Sequence, residues 1–208
     1  MPEYPRGRAG SRQGPKSVKI LRAAFGGLVF VALATAACSR AADPGNVSEP
    51  KGEAMTIKLT SVAFEEGNPI PVKHTGQGDD VSPALQWAGV PAGAKSIALI
   101  CDDPDAPAGT WVHWVIWNIP PDAAGLPEAV PQKVELKDGS KQGMNDFRQT
   151  GYGGPMPPPG KAHHYFFKVY ALDLQPDLKP GATKSKLLDA MKGHVLAEGE
   201  LMGTYQRR

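Results

Sequence analysis

From residue 55 onward the hydrophobic and polar positions repeat mostly with the period of strands. Residues 56–62 set Ile57 and Leu59 against Thr56, Lys58 and Thr60, the alternation of a strand with one buried face. Residues 96–101 and 112–119 are nearly continuous apolar runs rich in β-branched and aromatic side chains, which predicts central strands covered on both faces. Residues 165–172 and 195–205 continue the strand pattern, and turn-forming groups such as Pro120-Pro121-Asp122 and Lys137-Asp138-Gly139-Ser140 separate the runs. One segment departs from it. Residues 184–192 place Leu187, Leu188 and Met191 at helical spacing, and Gly193 supplies a stop. Short strands with Pro and Gly turns and one late helix predict an all-β, mainly antiparallel, sandwich-like domain, not an alternating βαβ fold.

The first 54 residues belong to a different regime. Arg6, Arg8, Arg12, Lys16, Lys19 and Arg22 precede an uncharged run over residues 23–37 that ends in small side chains before Cys38. This is the order of a secretory signal, and its 15 residues fall short of the roughly 20 that a spanning helix needs. Thr35-Ala36-Ala37-Cys38 resembles a bacterial lipobox, with Thr35 where Leu is usual; simple secretion is the alternative. The expected organisation is a lipoprotein signal peptide at 1–37, a flexible tether at 38–54 rich in Ala, Pro, Gly, Glu and Lys, and one domain at 55–208. Lipidation at Cys38 would anchor that domain at the bacterial cell envelope, on its periplasmic face.

Removing the signal changes the charge balance. It holds six basic residues against one acid, so the formal net charge of +2 becomes negative in the mature chain. No basic patch with interleaved aromatics remains, and a nucleic-acid partner is not expected. With Cys38 lipidated, Cys101 is left alone inside an apolar run, where a buried thiol is the ordinary reading. No disulfide is expected, and stability must come from the core.

Two segments carry candidate chemistry. Asp103-Pro104-Asp105-Ala106-Pro107 leads into Trp111-Val112-His113-Trp114; Gly151-Tyr152-Gly153-Gly154-Pro155 leads into His163-His164-Tyr165. In the first, the prolines hold Asp103 extended, and its carboxylate can orient an imidazole or meet a ligand's ammonium group. Strand alternation puts His113, Val115 and Trp117 on one face, with Trp111 beside His113. Asp105 reads as a turn residue. In the second, eight of the ten residues 151–160 are Gly or Pro, which suits either a close backbone approach to an anion or a purely structural crossover. His163 and Tyr165 share a face and add donors, whereas His164 points away.

The run 103–107, His113, Gly154-Pro155, His163 and Tyr165 resembles the signature of the phosphatidylethanolamine-binding protein family, in its bacterial Raf-kinase-inhibitor-like branch. The similarity extends through Ser82-Pro83-Ala84-Leu85-Gln86-Trp87, Tyr170-Ala171-Leu172-Asp173 and Gly193-His194-Val195-Leu196-Ala197-Glu198. It implies an antiparallel β-fold with a small pocket for phosphate or a phosphorylated head group. The ligand-binding residues would be Asp103, Trp111, His113, Gly154, Pro155, His163 and Tyr165. His164 stands where many members have Arg.

Non-catalytic binding of a small anion is the expected function, with no cofactor and no metal; inhibition or regulation of another protein, such as a hydrolase, is the alternative. A metal enzyme built on Asp103, His113 and His163 is the third reading. It lacks a compact ligand motif and a second carboxylate to act as base. No Gly-x-Ser-x-Gly elbow is present either.

Overall fold

A computed structural model describes residues 55–207. The expectations for the signal peptide, the lipidated Cys38 and the tether fall outside these described residues.

The strands are β1 (Met55–Thr56), β2 (Lys58–Ser61), β3 (Leu85–Ala88), β4 (Ser96–Asp103), β5 (Trp111–Ile119), β6 (Gly125–Leu126), β7 (Lys141–Gln142), β8 (His163–Leu172) and β9 (Val195–Tyr205), with helix α1 (Lys184–Met191) between β8 and β9. They form a six-stranded sheet of order β1-β9-β8-β4-β5-β7 and a three-stranded sheet of order β2-β3-β6. Pairing is antiparallel except between β1 and β9. The fold is thus mostly antiparallel β with one short helix, as the periodicity implied.

The larger sheet is covered on both sides, which explains why all eight residues of β4 are buried. Ile97, Leu99 and Cys101 face the smaller sheet, packing with Leu59, Trp87, Trp114 and Phe167. Ala98 and Ile100 face the other way, toward Leu187 and Met191 of α1. The helix ends where Gly193 adopts φ +80°, a left-handed conformation that glycine takes without a steric penalty.

Residues 56–62 do not form one strand. β1 belongs to the larger sheet and β2 to the smaller, and the chain crosses between them at the buried Ile57, whose N–H donates to Glu198 O at 2.8 Å. The crossing requires Gly199, since a Cβ there would lie 2.0 Å from Ile57 O. Alternation along the sequence reports which side chains are buried but cannot tell that two sheets bury them.

Leu187 is the fully buried anchor of α1 on the larger sheet. Leu187→Ala should cost about 2–5 kcal/mol in denaturant unfolding, because a helix of eight residues has little stability without that packing. A loss below about 1 kcal/mol would mean that the helix is not held by its apolar face.

Candidate functional site

The C-terminal end of β4 and the N-terminal ends of β5 and β8 meet at one end of the larger sheet, where Asp103 pairs with Trp111 and Asp102 with Phe166. A cavity of about 180 Å³ opens there, lined by Asp103, Trp111, His113, His163 and Tyr165 together with loop residues. Three strand ends and the loops beside them therefore meet at this cavity.

His113 reaches this cavity by a route that alternation does not predict. Cys101 pairs with Trp114 and Asp102 with Val112, so His113 is an extra residue without a cross-strand partner, a β-bulge. The bulge slips the alternation by one. Val115 and Trp117 pack on the α1 side, whereas His113 stacks edge-on against Tyr165, ring centroids 5.1 Å apart, on the side of the smaller sheet. The expectation that His113, Val115 and Trp117 share a face is thereby corrected. Trp111 does flank His113; both rings meet Phe147 edge-on, at 5.4 and 5.3 Å.

Hydrogen bonds fix both imidazoles. His113 Nδ1 lies 2.6 Å from Gly153 O, and a carbonyl can only accept, so Nδ1 carries the proton and Nε2 is left for the cavity. His163 Nδ1 donates to Asp103 Oδ2 at 2.7 Å, and Asp103 Oδ1 accepts the Asp105 N–H at 2.8 Å. Burial holds His113 below the ordinary histidine value, partly offset by the Gly153 carbonyl and the Asp103 carboxylate. Burial, reinforced by the charge of Asp103, pushes the Tyr165 phenol far up, so it remains a donor at any physiological pH.

Five buried side-chain polar atoms have no hydrogen-bond partner among the described residues, and two of them, Trp111 Nε1 and Tyr165 OH, belong to residues lining this cavity. Both atoms are almost wholly covered by neighbouring side chains, and the Tyr165 hydroxyl lies close to the Asp103 carboxylate, so it is the side chains as a whole that line the cavity.

Gly154 and Pro155 sit apart from the other expected residues. Neither lines the cavity. The Gly154 N–H donates to Asp80 Oδ1 at 2.6 Å, and Pro155 O accepts the Gly76 N–H at 3.0 Å. The close approach that glycine permits is to the chain itself: a Cβ on Gly154 would lie 2.5 Å from His74 O and 2.7 Å from Thr75 Cα. The segment 74–80 thus packs directly against Gly154, and a side chain there has no room.

Ala106 and Pro107 of the run 103–107 and Pro157 and Pro158 of the Gly- and Pro-rich run also line the cavity, together with Phe147 and Met156, which were not singled out from the sequence. Phe147 and Met156 are each about two-fifths exposed, and they make the rim apolar above a polar floor. Phe147 sits between turn residues, where periodicity carries no signal. Asp105 lies outside the cavity and accepts from His164 N and Nδ1 at 2.8 and 2.6 Å, an exposed pair that keeps His164 turned outward. Cys101 is buried behind the site, and burial pushes its thiol well above the usual range. Among the described residues no three His, Cys, Asp or Glu side chains group as metal ligands would.

Residues 60–206 match the family model for phosphatidylethanolamine-binding protein. A UPF0098 protein of Methanothermobacter thermautotrophicus is 55% identical over 151 residues, covering 73% of this chain and 99% of the relative. A UPF0098 protein of Chlamydia muridarum is 44% identical, with coverage of 73% and 99%. Two crystal structures are similar. CT736 of Chlamydia trachomatis, described as a homologue of phosphatidylethanolamine-binding protein, aligns with a TM-score of 0.67 at 41% identity, covering 74% of this chain and 99% of that one. YbcL of Escherichia coli, described as a member of the mammalian PEBP family, aligns with a TM-score of 0.68 at 33% identity, covering 75% and 100%.

Gly154→Ala should act on stability before it acts on any ligand. Forcing a methyl against the 74–75 backbone costs about 1–3 kcal/mol, a fall in Tm of roughly 3–10 °C for a domain of this size. An unchanged Tm with a selective loss of ligand affinity would return Gly154 to the binding surface.

Proposed function

The chain belongs to the phosphatidylethanolamine-binding protein family, which supports a small-ligand-binding or regulatory role, and on that premise we propose that the cavity binds a small anion or a phosphorylated head group without catalysis. The observation that carries this reading is the convergence of Asp103, Trp111, His113, His163 and Tyr165 on one small cavity, with both imidazoles held in fixed orientations. Four polar side chains converge, and none is arranged as a nucleophile with its base. The volume points to the same scale of ligand. At about 180 Å³ the cavity lies below the roughly 300–1,000 Å³ of sites that enclose whole drug-sized molecules. It fits a head group, with any larger remainder lying across the apolar rim of Phe147, Met156 and Pro158.

The domain is held at the bacterial cell envelope through lipid on Cys38 and faces the periplasm. The support is the basic, apolar and small-residue order that ends at that cysteine. No helix among the described residues is long and apolar enough to cross a membrane.

Tyr165→Phe separates binding from folding. The hydroxyl lies beside the Asp103 carboxylate but makes no well-aligned hydrogen bond in the fold, so its loss should lower the Tm of the free protein by no more than the equivalent of about 1 kcal/mol. Calorimetric affinity for inorganic phosphate or phosphorylethanolamine should fall about 10- to 100-fold, the worth of a hydrogen bond to a charged group. Equal affinity in the variant and the wild type would remove the anion-site reading.

Cys38→Ala tests the anchor. The full chain expressed in a bacterium should lose its acyl mass and move from the membrane fraction to the soluble one, or stay unprocessed. Unchanged fractionation and intact mass would overturn lipid attachment.

A further inference from the structure

Two loops at the cavity end of the larger sheet are nearly free of charge, in a chain of which 21% is Asp, Glu, Lys or Arg. Residues 104–110, between β4 and β5, hold one charged side chain, Asp105; residues 153–160 hold none and include four prolines. Asp105 is paired with His164, and the nearby Asp146 carboxylate accepts the Val112 N–H. Large apolar side chains gather at the same end. Of the eight that stay exposed among the described residues, four lie here: Met144 and Leu188 beside Thr110 and Val112, and Phe147 and Met156 beside Trp111. Arg148 follows Phe147 and Lys161 follows the proline run, and both bases are exposed. An end that is apolar, stiffened by proline and flanked by bases gives up little hydration or conformational freedom on meeting hydrocarbon and anionic head groups.

The point where the domain is attached decides whether a membrane is within reach of these loops. Met55 pairs with Ala197 and Ala197 with Ala171, whereas His163, beside the cavity, pairs with Tyr205. The chain therefore enters the domain near the opposite end of the sheet, a length of β8 of about 26 Å from the loops. The 17 residues 38–54 reach at most about 55–60 Å when extended, enough to pass along the sheet with slack. A connection shorter than about eight residues could not turn the loops onto the surface that holds Cys38.

We infer that this end is a membrane-docking surface: the loops 104–110, 144–148 and 156–161 lie on the bilayer that carries the anchor, with Phe147 and Met156 at the boundary between head groups and acyl chains and Arg148 and Lys161 against anionic lipid. The inference rests on the lipid-anchor reading above and concerns the outer surface of the loops, not the floor of the cavity. The domain then lies with one chosen end on the membrane instead of hanging from its tether in every orientation.

The test uses the chain from Cys38 to Arg208 with the Cys38 thiol coupled to a maleimide phospholipid, so that docking is measured whether or not a cell acylates that residue. Cys101 is buried and stays unmodified. Amide hydrogen exchange is compared between the uncoupled protein in solution and the coupled protein on vesicles of phosphatidylethanolamine and phosphatidylglycerol. Exchange in the three loops should slow about threefold on the vesicles, as for a surface docked roughly two-thirds of the time, and residues 92–95 at the opposite end should be unchanged. Ala108→Asp with Pro159→Asp places charge on two exposed loop positions and should abolish the protection at unchanged Tm. Arg148→Glu with Lys161→Glu should weaken it most on vesicles rich in phosphatidylglycerol. Should a variant fail to fold, the wild-type exchange map still decides. Equal exchange on and off vesicles would overturn docking and leave the anchor standing. Protection at 92–95 in place of the loops, or protection that survives the two aspartates, would overturn the assignment of this surface. Absence of acyl mass on Cys38 in cells would remove the anchor, and with it the membrane this surface is placed on.

Discussion

The site depends on one irregularity in the pairing of β4 with β5. Both strands lie inside the larger sheet and are covered on both faces, so their apolar side chains from Ile97 to Cys101 and from Trp114 to Trp117 alternate between two packed cores. An unbroken ladder would send His113 toward α1 with Val115 and Trp117. The extra residue between the Cys101–Trp114 and Asp102–Val112 pairs turns it toward Tyr165 instead. A single-residue slip thus moves an imidazole from one side of the sheet to the other without disturbing the hydrophobic pattern that follows.

Two successive buried carboxylates at the end of β4 show the same division of faces. Asp102 projects toward the helix side and is held by Lys168 at 3.2 Å and by Lys184 at the start of α1. Asp103 projects into the cavity and is held by His163 and by its own loop. Removing one partner from a buried pair costs several kcal/mol, because the remaining charge is left unsolvated. Asp102 ties the helix to the sheet, whereas Asp103 sets the orientation of a cavity imidazole. Neighbouring residues of one type therefore have different consequences.

The Gly- and Pro-rich loop contributes by packing. Gly153 O receives the His113 proton and Tyr152 OH donates to His74 O, while Gly154 lets the 74–80 segment close against it. Met156, Pro157 and Pro158 then reach over the cavity as its apolar rim. The prolines form part of the apolar rim, and the polar side chains that line the cavity come from strands. A site built on strands holds its donors more precisely than one built on a mobile loop.

Period-two runs, turn clusters and one helical segment were enough to predict a mainly antiparallel sandwich with a late helix, because burial on a sheet face leaves a direct trace in side-chain type. Asp103, Trp111, His113, His163 and Tyr165 were legible for a related reason: polar groups placed at the junction of stiff loops and apolar strands have few structural uses. Long-range geometry was not legible. The split at Ile57 depends on Gly199, 142 positions away in the chain, and the turn of His113 depends on a register that only the β4 partner sets. Gly154 carried the same local signal whether its neighbour was a ligand or residues 74–75. Local composition records that a backbone must pass close to something; only the assembled tertiary structure decides what that is.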